Sequence, residues 1–372
     1  MNSTDIIVIG GGIAGLSAAA ELSTHARVSV LEAEEQIGYH SSGRSATMVH
    51  YALGDRLVRA LTLASRPFFE NPPADFIGPL GHRMPVLVHG REDEREELDA
   101  LEAEIRPFAK IERLDRHGVH ELCPLLKDDA VHAIADRNGI RLDPHALLQG
   151  NLKQLKGNRG TLETGQRAGK IARSNGCWTV TSEKGDTYRA PILVNAAGSW
   201  ADHVARLAGA RTIAIEPKRR TIITFDAPSG IRLDGLPFAK TIGDELYFAP
   251  ESGRLFASPM DEVPSEACDA QPDEYEVALA AFRMEERTIV KVDRIHSRWA
   301  GLRSFTRDKH PAVGFAPDQE GFFWLAGQGG FGLQTSPAMA SIASSLITGA
   351  PWPVPEVTPA ELDVARLFGQ SA

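Results

Sequence analysis

Two apolar patterns alternate along the chain: short unbroken runs that predict buried strands, and stripes at three- and four-residue spacing that predict helices. The first run, Ile6-Ile7-Val8-Ile9, is bounded by glycines and too short for a helix, so it reads as a buried parallel strand. An alanine- and leucine-rich helix over 14–22 and a second strand over 27–31 complete a βαβ unit. Helical spacing of Leu57, Val58, Leu61, Leu63, Ala64 and Phe68 predicts a helix over 55–69, closed by Asn71-Pro72-Pro73. Another spans 145–156, with Asp143 as its cap and Pro144 in its first turn. Strands are expected at 84–88, 215–225, 245–249 and 255–258, and a hairpin over 179–193 turns at Lys184-Gly185-Asp186. Two further runs, 192–195 and 322–326, end in small residues. Helices are expected at 91–101, charge-rich and solvated, at 272–286 and at 337–347; short strands and turns fill 124–141.

Glycines stand where the first strand must turn into its helix. Gly10, Gly12 and Gly15 form G-x-G-x-x-G: a tight turn, a close backbone approach to a pyrophosphate, and close packing of helix on sheet. Ile13 and Ala14 open the helix, whose free N–H groups would face the phosphates. The second strand ends in Glu32-Ala33, at the ~20-residue distance where a carboxylate binds a ribose 2′-OH. An acid there disfavours a 2′-phosphate, so NADP is the dinucleotide least expected.

The loop Ser41-Ser42-Gly43-Arg44-Ser45-Ala46 is small and polar with one fixed cation, suited to phosphate and to a flat ring nearby. A plain nicotinamide domain does not need it; a flavin dinucleotide, held along its whole length, does. Ala197-Gly198 at a strand end, followed by Trp200, lets backbone lie close to the same ligand. Gly329-Gly330-Phe331-Gly332 with Gln334 and Thr335 leads into the last helix, whose start could stabilise negative charge on a reduced ring.

Composition changes the picture little. The 372 residues suffice for two domains, and 42% hydrophobic with 24% charged content is ordinary for a globular protein. A net charge of −9 argues against a nucleic-acid partner. Cys123, Cys177 and Cys268 lie far apart without metal spacing, so reduced thiols in a cytoplasmic protein, and no metal, are expected. No run is long enough for a membrane span, and the N-terminus lacks the basic start of a signal peptide.

Glu32 followed by Gly43-Arg44-Ser45 resembles the FAD-dependent D-amino-acid oxidase and dehydrogenase family, which includes the glycine and sarcosine oxidases. Around Gly38-Tyr39-His40-Ser41, Asn71-Pro72-Pro73 and Pro217-Lys218-Arg219-Arg220 the chain most resembles D-arginine dehydrogenases. The resemblance covers almost the whole chain. It implies an α/β fold in which a Rossmann-type FAD-binding domain (1–82, 141–215 and 302–372) is interleaved with an α+β substrate domain (83–140 and 216–301). The second domain's sheet would be mainly antiparallel. It also implies noncovalent FAD, since no cysteine lies near 328–335 to form the link of sarcosine oxidases. Arg298 to Arg303 resembles the family's substrate-arginine motif, with Ser304 where proline usually follows.

On that reading Arg303 grips a substrate carboxylate, with Tyr247 and Arg220 assisting. A hydride passes from the α-carbon to the flavin, and the imino acid hydrolyses to a 2-keto acid and ammonia. The partners would be an amino acid, of the D series by resemblance, and an electron acceptor: a quinone, a redox carrier or O2. Departures fall in the pocket. Met48 stands where the D-arginine enzymes carry histidine, Leu53 where a tyrosine covers the substrate, and Pro85 where an acid pairs the guanidinium. Gly330 completes that pocket, and His50 is a candidate replacement polar group. Neutral or apolar substrate side chains are therefore expected. A secondary-amine oxidase and a 2-hydroxyacid dehydrogenase are the alternatives within the flavin class. A nicotinamide dehydrogenase and a non-catalytic dinucleotide-binding protein are the alternatives outside it.

Overall fold

Ile6–Ile9 is a strand with every side chain buried, and its alternating residues serve two different cores. In the computed structural model, which describes residues 2–368, this strand pairs in parallel with Val28–Leu31 on one side and Ile192–Asn195 on the other. Thr161–Glu163 and Phe322–Ala326 extend the parallel array, and Ala312–Phe315 closes it antiparallel as the sixth strand. Residue 1 and residues 369–372, the ends of the expected FAD-binding segments, lie outside the described residues.

Ile6 and Val8 pack with Leu16, Ala19, Leu147 and Ile342 from the helices Ile13–Leu22, Pro144–Gly157 and Gly332–Thr348. Ile7 and Ile9 face the other way, against Trp178, Val180 and Tyr188 of a four-stranded sheet and Val204 of the helix Ala201–Ala208. The result is three layers. Ile6–Ile9 has its sequence neighbour on one side and a distant strand on the other, so a crevice opens beyond the strands' carboxyl ends.

The nine-stranded sheet is built from segments of 86–136 and 216–305. Every pairing in it is antiparallel except Phe238–Thr241 beside Val86–Gly90. One face carries Ile223, Phe225, Phe248 and Ala257 against the helix Glu274–Arg287. The opposite face presents Ile222, Phe238, Tyr247 and Phe256 toward Met48. The strand Ile295–Phe305 pairs along the whole of Glu216–Phe225 and runs across the expected boundary at 301/302.

Several elements start elsewhere than the pattern predicts. The last helix begins at Gly332, not 337, because Pro337 is accommodated inside it: Ser336 Oγ donates to the Leu333 carbonyl, whose usual donor proline lacks. The charged helix begins at Arg95, after a short 3₁₀ turn in which the Glu94 carboxylate accepts from Arg91 N–H at 2.7 Å. The strand expected at 84–88 runs Val86–Gly90, since Pro85 has no N–H for the ladder.

The first glycine turn tests how tightly these layers close. A Cβ on Gly15 would lie 1.9 Å from the Gly10 carbonyl oxygen, which is backbone and cannot step aside. Gly15→Ala should therefore destabilise the protein by ~1–3 kcal/mol. Urea unfolding measures this, and an unchanged midpoint would show that helix and turn are not in contact.

Candidate active site

The crevice is occupied by one elongated cavity of about 280 Å³. It runs past Glu32, along Gly10, Gly12 and Ser42, beside Ala197 and Trp200, to Gly330, Arg303, Tyr247 and His50. Both sheets contribute to its wall. Of the residues singled out from sequence, Ile13, Ala14, Ala33, Ser41, Arg44, Ser45, Ala46, Gly198, Phe331, Gly332 and Gln334 also line it, as do Arg220, Met48 and Leu53.

At one end Glu32 is buried, and its carboxylate accepts from the N–H groups of Gly11 and, at 2.8 Å, of Glu34. Burial raises its pKa above the ordinary carboxylate value, and the two N–H donors offset this only in part. A Cβ at Gly11 would lie 2.8 Å from Glu32 Oε2, so a side chain at the unspecified position of the glycine motif would have to displace the Glu32 carboxylate. The motif gave no notice of that; only the packing does.

The helix start is met by the second loop. Ser42 Oγ accepts from Ile13 N–H at 2.9 Å, and Gly38 N–H donates to the Gly11 carbonyl. Ser41 Oγ donates to the Leu302 carbonyl, tying the loop to the larger sheet. Arg44 does not offer a free cation to phosphate. Its guanidinium donates to Asp269 at 2.6 Å and to the carbonyls of Ala270 and Ala300, and stacks over Tyr39. Gly43 N–H turns back to the Gly38 carbonyl, and Gly43 is not on the cavity wall.

The other end is cationic. Lys218 pairs with Arg303, and Arg220 with Gly301, across two antiparallel strands, so these three cations share one face. Arg303 is wedged over Phe305 and Phe331, its guanidinium carbon 5.2 and 5.3 Å from the ring centroids. Burial, reinforced by the Arg220 charge, pushes its pKa down to about 10. Gly330, at φ +87°, leaves room for this: a Cβ there would sit 2.1 Å from Arg303 Nε. Arg220 Nε donates to the Asp261 carbonyl at 2.8 Å, and its guanidinium lies 5.9 Å from the Tyr247 ring.

His50 is buried against Phe238, and its Nδ1 accepts from Ala52 N–H, which places the ring proton on Nε2. Burial, with the nearby Lys240 charge, lowers its pKa to about 3, so it is a neutral hydrogen-bond donor rather than a base. Sequence reading passed over Lys240, which is 2% exposed and paired with Asp244.

Three expected residues do not reach the cavity, besides Gly43. Gly15 lies under the glycine turn, Thr335 Oγ1 is spent on the Phe331 carbonyl of its own helix, and Pro85 is off the wall. Pro85 instead accepts from Phe238 N–H at 2.8 Å, and Phe238 supplies the wall there.

A ligand laid from Glu32 to Gly330 follows the carboxyl edge of the parallel sheet and ends between two guanidinium groups and a tyrosine. The walls fit such a dinucleotide: Gly12 leaves Ser42 Oγ as its nearest neighbour, and a Cβ on Gly198 would meet nothing within 4 Å. This is the site of a dinucleotide-dependent oxidoreductase. A family model described as FAD dependent oxidoreductase matches residues 5–346, and the chain belongs to that family.

Among its relatives, FAD-dependent oxidoreductase domain-containing protein 1 of Bos taurus is 23% identical over 92% of this chain and 81% of its own. Glycine oxidase of Pseudomonas putida is 24% identical over 94% of this chain and 95% of its own. The L-α-glycerophosphate oxidase of Mycoplasma pneumoniae, solved with FAD bound, superposes with a TM-score of 0.86 at 18% identity, covering 94% of this chain and 95% of that one. FAD is the cofactor of this protein. No helix among the described residues is long and apolar enough to cross a membrane.

Glu32 carries a stability cost that can be read out. Its folded-state pKa is raised, so ionisation favours the unfolded chain. The cost is fully present above the folded pKa and absent below the unfolded one. Glu32→Gln should thus stabilise the apoprotein near neutral pH, with the gain vanishing toward about pH 4. The same variant should weaken FAD by ~10-fold through loss of a charged ribose acceptor. Thermal melts across pH and FAD titration check the two halves; an apoprotein melting lower than wild type at neutral pH would contradict the first.

Proposed function

We propose that the chain oxidises the α-carbon–nitrogen bond of an amino acid with a neutral side chain, the D series being the first to test. The observation that carries this is Arg303: a half-buried guanidinium on the cavity wall, beside Arg220 and Tyr247, whose planar fork suits a carboxylate as a bidentate pair. Gripping the carboxylate there fixes the substrate's α-carbon toward the remainder of the cavity. FAD, when bound, supplies the hydride acceptor. Loss of the α-hydrogen leaves an imino acid, which water converts to the 2-keto acid and ammonia. His50, neutral and donating from Nε2, stays uncharged throughout and leaves the amine to enter deprotonated.

Side-chain preference follows from Met48, Ile222 and Phe238, an apolar wall with no carboxylate among them to pair a cationic side chain. No cysteine lines the cavity, which supports noncovalent FAD. We read the six-stranded sheet with its two covers as the FAD-binding unit, and the nine-stranded sheet as the substrate unit. A second reading, oxidation of a hydroxyl-bearing phosphate ester, is favoured by the crowding of Lys218, Arg220 and Arg303 on one face.

Anaerobic mixing of the yellow protein with D- and L-amino acids, N-methyl amino acids, 2-hydroxy acids and glycerol 3-phosphate decides between them through bleaching of the flavin. A neutral amino acid should bleach it fastest; bleaching by glycerol 3-phosphate or a hydroxy acid alone would sink the proposal. Acid precipitation should leave FAD in the supernatant. Arg303→Ala should keep FAD while lowering kcat/KM by ~3 kcal/mol or more. Arg303→Lys should recover part of that, since an ammonium cannot reproduce the planar fork. Wild-type kcat/KM in Arg303→Ala would place the carboxylate elsewhere.

A further inference from the structure

One carboxylate serves three cations, of which Arg303 and Arg220 line the cavity while Lys218, like the carboxylate of Glu262 itself, is not on its wall. Arg303 Nη1 donates to Glu262 Oε1 at 2.7 Å, Arg220 Nη2 reaches the same oxygen at 3.4 Å, and Lys218 Nζ lies 3.6 Å from Oε2. A substrate carboxylate held by Arg303 would make the same kind of bond to the same guanidinium. Glu262 therefore occupies, from inside the chain, the electrostatic role that a bound acid would take.

The backbone around it is fastened independently of the ion pairs that the side chain makes. Asp261 accepts from Thr221 N–H at 2.7 Å and from Thr221 Oγ1 at 3.0 Å, and Arg220 Nε donates to its carbonyl. Val263 pairs with Arg219 on the far side, and Met260 is held at φ +54° in the left-handed region. The Glu262 side chain itself is 36% exposed at the outer edge of the cluster. Rotation about its own bonds carries the carboxylate into water without moving the strand.

We propose that Glu262 is a built-in competitor: its carboxylate exchanges with the ligand's carboxylate on Arg303, weakening substrate and product binding and returning to the guanidinium as product leaves. This rests on the reading of Arg303 as the carboxylate grip. The physical reason for such a device is burial. Arg303 and Arg220 repel each other where water screens poorly, so an empty site needs an anion of its own. Charge also limits affinity, because the arriving carboxylate must break a bond already made. The residue thus sets how tightly the site holds any carboxylate, and does no chemistry.

The test is calorimetric titration of the FAD-loaded protein with benzoate, an inert carboxylate, and with benzamide, its uncharged counterpart. Glu262→Gln should bind benzoate at least ~10-fold tighter than wild type and benzamide unchanged, as removal of a charge-assisted competitor requires. KM for the amino-acid substrate should fall in parallel, and Glu262→Asp, which keeps the charge on a shorter arm, should lie between. The gain should disappear in Arg303→Ala with Glu262→Gln, since both act at one guanidinium. Unchanged or weaker benzoate binding in Glu262→Gln would overturn the proposal, making the residue an orienting support instead. Retention of wild-type benzoate affinity in Arg303→Ala alone would overturn the reading of Arg303, a separate result.

Discussion

A dinucleotide can lie along the edge of a parallel sheet only if backbone, not side chain, forms the floor. Here that floor is one point of contact among three segments. A Cβ on Gly10 would fall 2.4 Å from the Ala196 carbonyl oxygen, and one on Gly15 would fall 1.9 Å from that of Gly10. The end of the first strand, the start of the first helix and the end of the middle strand therefore meet without any intervening side chain. The dinucleotide side of the cavity takes its position from this contact. The helix N-terminus points into the crevice because Gly15 lets it close on the turn, and the strand Ile192–Asn195 delivers Ala197 and Gly198 to the opposite wall.

The opposite end of the cavity is governed by the cost of buried charge. Arg303 and Arg220 stand in surroundings that disfavour cations, and Lys240, deeper still, has its pKa lowered chiefly by burial. Each is compensated by an acid in contact: Glu262 for the two guanidinium groups, Asp244 for the lysine. Breaking one such pair leaves an unmatched buried charge, a loss of ~3–5 kcal/mol. A site arranged in this way exchanges one anion for another instead of filling an empty hole. Its electrostatics are satisfied before the substrate arrives.

Much of the frame was legible because it is local. The apolar run at Ile6–Ile9, the glycine spacing and the terminal acid lie within one unit, and Asp55, Asp143 and Asp273 each cap the helix that follows them. The residues misread from sequence are those whose partners are distant. Arg44 looks like a phosphate ligand on its loop, yet its guanidinium is used by Asp269, Ala270 and Ala300, more than two hundred residues away. Resemblance to the D-arginine enzymes puts Pro85 in the pocket, but the parallel register with Phe238–Thr241 gives the wall to Phe238. Lys240 draws no notice in the sequence, since no local pattern signals that its strand face is buried. Glu262 sits in a polar stretch with nothing in its neighbours to mark it. Register and long-range pairing decide all four, and neither has a short-range signature.

One strand joins the large sheet to the dinucleotide side of the cavity. Ile295–Phe305 belongs to the large sheet, yet it is stitched to the dinucleotide side along its whole second half. Trp299 Nε1 donates to the Arg44 carbonyl, Arg44 Nη1 to the Ala300 carbonyl, and Ser41 Oγ to the Leu302 carbonyl. Ser304 and Ser199 share a hydrogen bond at 2.8 Å, which explains how serine serves where proline is usual: its hydroxyl reaches across to the turn after the middle strand. Arg303 lies between these fastenings. Its distance from the cofactor cleft is therefore set by bonds from the loop at 41–44 and the turn at Ser199, not by the packing of the large sheet alone. An enzyme whose substrate is held by one sheet and whose cofactor is held by another needs its reacting atoms aligned within a fraction of an ångström. On the proposed function, that alignment would be carried by a single strand and the short polar segments that grip it.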